Sequence, residues 1–169
     1  MLNARVRWLI LLSIVFHSAD VHAQGQHRAR QLFVAGRVGA NLIGNTYRVR
    51  ETKPVAGAGV SLGTFLSPTW AMEVEGWVRA SNPECCSAGR ETLVSLSAVR
   101  QYARGGIQPY ALGGVALLRA RANQIQVQVG VGVQVPVYRR IAVALDLRGN
   151  GGGSTMIVRP AVAVIYYFP

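Results

Sequence analysis

From Gln124 to Val135 the chain alternates without a break. Ile125, Val127, Val129, Val131, Val133 and Val135 fall on one side, and Gln124, Gln126, Gln128, Gly130, Gly132 and Gln134 on the other. Successive side chains of a strand point to opposite faces, so a period of two sustained over twelve residues demands extended backbone with one apolar face. Arg140–Arg148 repeats it: Ile141, Val143, Leu145 and Leu147 oppose Ala142, Ala144, Asp146 and Arg148. In the last segment Val158, Pro160, Val162, Val164, Tyr166 and Phe168 alternate with Arg159, Ala161, Ala163, Ile165 and Tyr167.

Five weaker versions precede these. Phe33–Gly44 sets Val34, Val38, Ala40 and Leu42 against Arg37, Gly39 and Asn41. Val55–Leu66 sets Ala58, Val60, Leu62 and Leu66 against Gly57, Gly59, Ser61 and Gly63. Trp70–Arg79 sets Met72, Val74 and Val78 against Glu73, Glu75 and Arg79. Thr92–Tyr102 sets Val94, Leu96 and Ala98 against Ser95, Ser97 and Gln101. Ile107–Arg121 sets Tyr110, Leu112, Ala116 and Leu118 against Ala111, Gly113, Arg119 and Arg121. Eight strands of this length suit tilted membrane strands. Ser67–Thr69, Arg104–Gly106 and Pro136–Arg139 read as tight turns; residues 44–54, 80–90, 120–123 and 149–154 form the other set of connections. The expected fold is all-β, an eight-stranded antiparallel up-and-down transmembrane β-barrel, whose closure leaves no free edge.

Half of the 169 residues are hydrophobic, yet no run approaches the ~20 apolar residues of a membrane helix. The chain opens with Arg5 and Arg7, an apolar stretch from Trp8 to Phe16, and Val21-His22-Ala23. That order is expected of a secretory signal peptide over residues 1–23, cleaved after Ala23, with a polar leader at 24–32 and the barrel domain at 33–168. No cysteine follows the cleavage site and no Arg-Arg pair precedes it, which points to the general secretory route.

Alternation does not say which face meets lipid. Three features put the valines outside. The opposite face is rich in Gly and Ala, which fit a narrow barrel interior and make a poor solubilising surface. Charged residues are 15% of the chain, below the usual quarter. Phe33, Phe65, Trp70, Tyr102, Tyr110, Tyr138, Tyr166, Tyr167 and Phe168 gather beside the tight turns and at the end of the last strand, as an aromatic girdle would.

With these segments, Gln108-Pro109-Tyr110-Ala111-Leu112-Gly113-Gly114 opening the fifth strand and Tyr166-Tyr167-Phe168 closing the eighth, the chain resembles the small eight-stranded outer-membrane β-barrel family (outer membrane protein β-barrel domain, opacity-type) over about residues 33–168. The resemblance implies a place in the bacterial outer membrane. It also implies that the terminal aromatics, Tyr166 and Phe168, are read by the barrel-assembly machinery. Pro169 departs from that pattern by following the last aromatic.

All three histidines, His17, His22 and His27, precede the barrel, so Ser95 and Ser97 have no histidine base and no catalytic site is expected. No cofactor site and no metal-ligand spacing is visible. Cys85 and Cys86 adjoin one another; the pair could close a strained disulfide or bridge to a second molecule. Glu73, Glu75 and Asp146 share the polar face with Arg37, Arg119, Arg148 and Arg159, and are expected to fill the lumen as a salt-bridge network, because lone buried charges cost several kcal/mol.

The net charge of +11 rests on arginines scattered at strand ends, with a single lysine. Nucleic acid is therefore not the expected partner; outer-membrane lipid and lipopolysaccharide are, with Arg48, Arg50 and Lys53 as candidate phosphate contacts. The expected function is a non-enzymatic structural or surface-interaction protein. A narrow pore or transport protein is the main alternative, and a soluble lipid-binding barrel a third.

Overall fold

The computed structural model describes residues 29–45, 54–79, 91–102, 106–119, 123–152 and 155–169. Eight strands follow in chain order: β1 (Leu32–Asn45), β2 (Val55–Phe65), β3 (Trp70–Arg79), β4 (Thr92–Gln101), β5 (Gln108–Arg119), β6 (Asn123–Tyr138), β7 (Ile141–Gly152) and β8 (Thr155–Tyr167). Each pairs antiparallel with the next, and β8 returns to β1, so the sheet closes. No helix occurs among the described residues.

The register sets the shape. A walk along Cα partners from Phe33 passes Gly63, Glu73, Ser97, Gly114, Gln128, Asn150 and Ile157 and re-enters β1 at Ile43. The strands are thus staggered by ten residues per circuit, which tilts them and leaves an interior that side chains can fill. One end carries the connections at 66–69, 102–107 and 139–140, together with the end of β8. In the first of these turns the Ser67 hydroxyl accepts the Thr69 and Trp70 amides at 3.3 and 3.1 Å. The opposite end carries the longer connections before β2 and β4.

The exterior is apolar. On β6 Ile125, Val127, Val129 and Val131 are 58–80% exposed, while Gln126, Gln128 and Gln134 between and beyond them are buried. In water this would turn the hydrophobic effect inside out; in lipid it satisfies it.

Two boundaries and one face differ from the sequence expectation. β6 runs through Pro136 to Tyr138, with a register irregularity between those two residues that lets the proline stay in the ladder. Residues 149–152 belong to β7 rather than to a loop, since their backbones pair with β8 up to Gly152↔Thr155. The faces of β5 are the reverse of those expected. Tyr110, Leu112, Ala116 and Leu118 are buried inside, and Val115 and Arg119 point outward. Both faces of β5 are apolar, so alternation could not choose between them. Gln108, buried in hydrogen-bonding contact with Gln134 across β5 and β6, holds the set that includes Tyr110 inside.

Candidate functional site

At mid-height the lumen is filled by charge. β1 supplies Arg37, β3 supplies Glu73 and Glu75, β7 supplies Asp146 and Arg148, and β8 supplies Arg159; all six are buried. Each carboxylate reaches the axis from a strand whose outward neighbours are Met72, Val74, Leu145 and Leu147, so the pleat that places those residues outside obliges the acids to face in.

Arg37 donates from Nη2 to Glu73 Oε2 at 2.7 Å, from Nε to Asp146 Oδ2 at 3.2 Å, and from Nη1 to the Ser61 hydroxyl. Arg148 donates from Nη1 to Glu73 Oε1 at 2.6 Å and Glu75 Oε2 at 3.3 Å, and from Nε and Nη2 to Asp146 Oδ2, each at 3.2 Å. Arg159 donates from Nη2 to Glu75 Oε2 at 2.9 Å, and its guanidinium lies 4.9 Å from the centre of the Trp77 ring. Three arginines meet three carboxylates, so the cluster is neutral and its charges are paired by charge-assisted hydrogen bonds. Small residues surround it: Gly39, Gly59, Gly114, Gly130 and Ala161 lie on the neighbouring inward positions.

Below this layer, toward the tight turns, the lumen is aromatic. Phe33, Phe65 and Tyr167 form a tilted triad with centroids 5.7 to 6.2 Å apart. Tyr110 donates its hydroxyl to Asp146 Oδ2 at 3.1 Å, which ties the plug to the ion cluster. A side chain on Gly132 would collide with the Tyr110 ring, so glycine there is what lets the ring lie flat on β6. Gln134 donates to Gln108 at 2.6 Å and accepts from the Tyr167 hydroxyl at 3.2 Å. Above the charged layer lie Trp77, Leu93, Ala116, Leu118 and Ile157, and beside them Gln126, Gln128 and Asn150.

Six of the seven residues expected in the network therefore come together. Arg119 does not: it is exposed on the outer face at the loop end, a direct consequence of the reversed face of β5. The expected girdle also divides. Trp70, Tyr102, Tyr138, Tyr166 and Phe168 are exposed around the tight-turn end, Tyr166 and Phe168 in edge contact at 5.3 Å, whereas Phe33, Phe65, Tyr110 and Tyr167 are the interior plug. Arg48, Arg50, Lys53, Cys85 and Cys86 lie outside the described residues, as does the segment 1–28. Ser61, Tyr110 and Gln134 were not expected among the site residues. Ser61 and Gln134 sit on recognisably inward positions, but nothing in their spacing shows which partner the stagger brings across the lumen.

Ser95 lies in the lumen with its hydroxyl 3.5 Å from Glu75 Oε2, at the outer limit of a hydrogen bond. That carboxylate is already held by Arg148 and Arg159 at 3.3 and 2.9 Å. Among the described residues no group of three or more His, Cys, Asp or Glu side chains could hold a metal ion.

The architecture defines a class: a closed eight-stranded barrel with an apolar exterior and an ion-paired interior has the fold of the small outer-membrane barrels. Neisserial surface protein A superposes with a TM-score of 0.65 at 13% identity, covering 81% of this chain and 97% of that one. Ail, the attachment invasion locus protein of Yersinia pestis, gives 0.62 at 10% identity over 83% of this chain and 99% of its own. The N-terminal β-barrel domain of Pseudomonas aeruginosa OprF gives 0.59 at 15% identity over 80% and 97%. No protein-family model and no curated protein matches the sequence.

Proposed function

We propose that this chain is a non-enzymatic integral protein of the bacterial outer membrane, with a structural or surface-interaction role and a lumen closed by side chains. The observation that carries this is the inversion of polarity: valines and leucines outside, six paired charges inside. A soluble lipid-binding barrel needs the opposite arrangement, an apolar cavity under a polar surface. Neighbours named a surface protein and an attachment invasion locus protein support a role at the cell surface.

In this reading residues 1–23 direct export and are removed, both chain ends lie in the periplasm, and the tight turns face the same side. Tyr166 and Phe168, exposed at the end of the last strand and just beyond it, would present the terminal aromatics to the assembly machinery. Arg48, Arg50 and Lys53 would meet lipopolysaccharide phosphates between β1 and β2. The test is expression followed by membrane fractionation and gel migration with and without heating. Outer-membrane recovery with faster migration of the unheated form is expected. A single, heat-independent band in the soluble fraction would refute membrane residence.

A further inference from the structure

The outer surface carries an arginine at the tight-turn end of β4, held between aromatic rings. Arg100 is on the lipid-facing side of β4, directly paired across the ladder with Trp70 of β3. Its guanidinium carbon stands 5.4 Å from the centre of the Trp70 ring and 5.4 Å from that of Tyr102. The two rings hold the guanidinium by cation–π attraction but take none of its N–H donors. No acidic side chain among the described residues takes them either. Among the described residues the acids are Glu73, Glu75 and Asp146, inside the barrel, and Glu91, paired with Arg79 at the loop end at 2.8 Å. The tight-turn rim holds Arg30, Arg100, Arg139 and Arg140, all exposed, and no acidic side chain among the described residues.

We propose that Trp70, Arg100 and Tyr102 form a binding site for the phosphate of an anionic phospholipid headgroup, in the leaflet that surrounds the tight-turn end. This rests on the membrane reading above. Exposed aromatics at this end set the headgroup level, where Trp and Tyr rings settle with one edge in the acyl region. A guanidinium fixed between two such rings keeps its planar fork of donors toward the interface, ready for two phosphate oxygens, without the rotamer entropy a free arginine would lose. The other rim arginines add a positive field of the same sign, which favours anionic over zwitterionic lipid.

Trp70 is also the reporter. Trp77 lies inside the barrel, beyond reach of lipid chains, and a Trp8→Phe background removes the remaining tryptophan. The full chain is reconstituted in phosphatidylcholine vesicles containing phosphatidylglycerol, with brominated chains on one lipid or the other, and Trp70 quenching is measured. Phosphatidylglycerol should be enriched about fivefold beside Trp70, the scale set by one basic residue at an anionic surface. Arg100→Gln should abolish most of that enrichment and Arg100→Lys should keep only part of it, since lysine retains the charge without the fork. Equal quenching by the two lipids, or an enrichment unchanged in Arg100→Gln, overturns the site. Heat-modifiable migration of the same vesicles separates the two levels. A folded barrel without lipid preference refutes the site alone, whereas a chain that never gives the heat-modifiable form refutes membrane residence as well.

Discussion

The two halves of the lumen are built on different principles. Toward the tight turns, Phe33, Phe65 and Tyr167 pack ring against ring with Tyr110 in the same buried cluster, and Gln134 bridges Gln108 and Tyr167. Toward the loops, both amide atoms of Gln126, Gln128 and Asn150 are buried without a hydrogen-bond partner among the described residues, as are two nitrogens of Arg159 and Nε1 of Trp77. Buried amides are rarely left unpaired, and these stand opposite small residues, Gln126 against Ala116 and Gln128 against Gly114. The difference is one of bonding: the loop-half amides have no hydrogen-bond partner among the described residues, whereas Gln108, Gln134 and Tyr167 bond to one another across the aromatic half. The ion cluster lies between them, and in the proposed reading it closes the lumen.

The largest expected effect comes from breaking that cluster. Glu73→Leu leaves Arg37 and Arg148 each short of a carboxylate in a buried site, and should destabilise the barrel by about 3–5 kcal/mol. Urea unfolding followed by loss of heat-modifiable migration measures it; a change below ~1 kcal/mol would mean the cluster is solvated. Next is the contrast between inside and outside on a single strand. Val129→Arg should cost about 2–4 kcal/mol near the bilayer midplane and block assembly, whereas Gln128→Ala should assemble normally. Equal behaviour of the two would reverse the faces.

The comparison between the halves is sharpened by one substitution made twice. Gln134→Leu removes a hydrogen-bond partner of the Gln108 and Tyr167 side chains toward the tight turns and should cost about 1–3 kcal/mol. Gln128→Leu removes no protein hydrogen bond and should stay within about 0.5 kcal/mol. If Gln128→Leu cost as much as Gln134→Leu, the loop half would be as tightly bonded as the other.

Strands β6 and β7 were legible because each has one apolar face and one polar or small-residue face, and β8 because Arg159 marks its inward face. The acids were legible for the same reason: Glu73, Glu75 and Asp146 alternate with Met72, Val74, Leu145 and Leu147. β5 was misread because Leu112 and Leu118 inside balance Val115 and Leu117 outside, and the error carried Arg119 inward with it. The split of the aromatics was hidden for another reason. Phe33 and Phe168 both flank the same rim, yet Phe33 shares the parity of Arg37 and Asn41 while Phe168 shares that of Val162 and Val164, a difference that grouping by nearness to the turns passed over. Which arginine meets which carboxylate depends on the ten-residue stagger, a property of the closed sheet that no single strand encodes.

The closed lumen is tested most directly by conductance across a planar bilayer. Folded, heat-modifiable protein should insert and pass no steady current, because the aromatic plug and the paired charges of Arg37, Glu73, Glu75, Asp146, Arg148 and Arg159 fill its cross-section. A stable, ohmic conductance that appears with insertion of the folded protein would contradict this and make the barrel a pore.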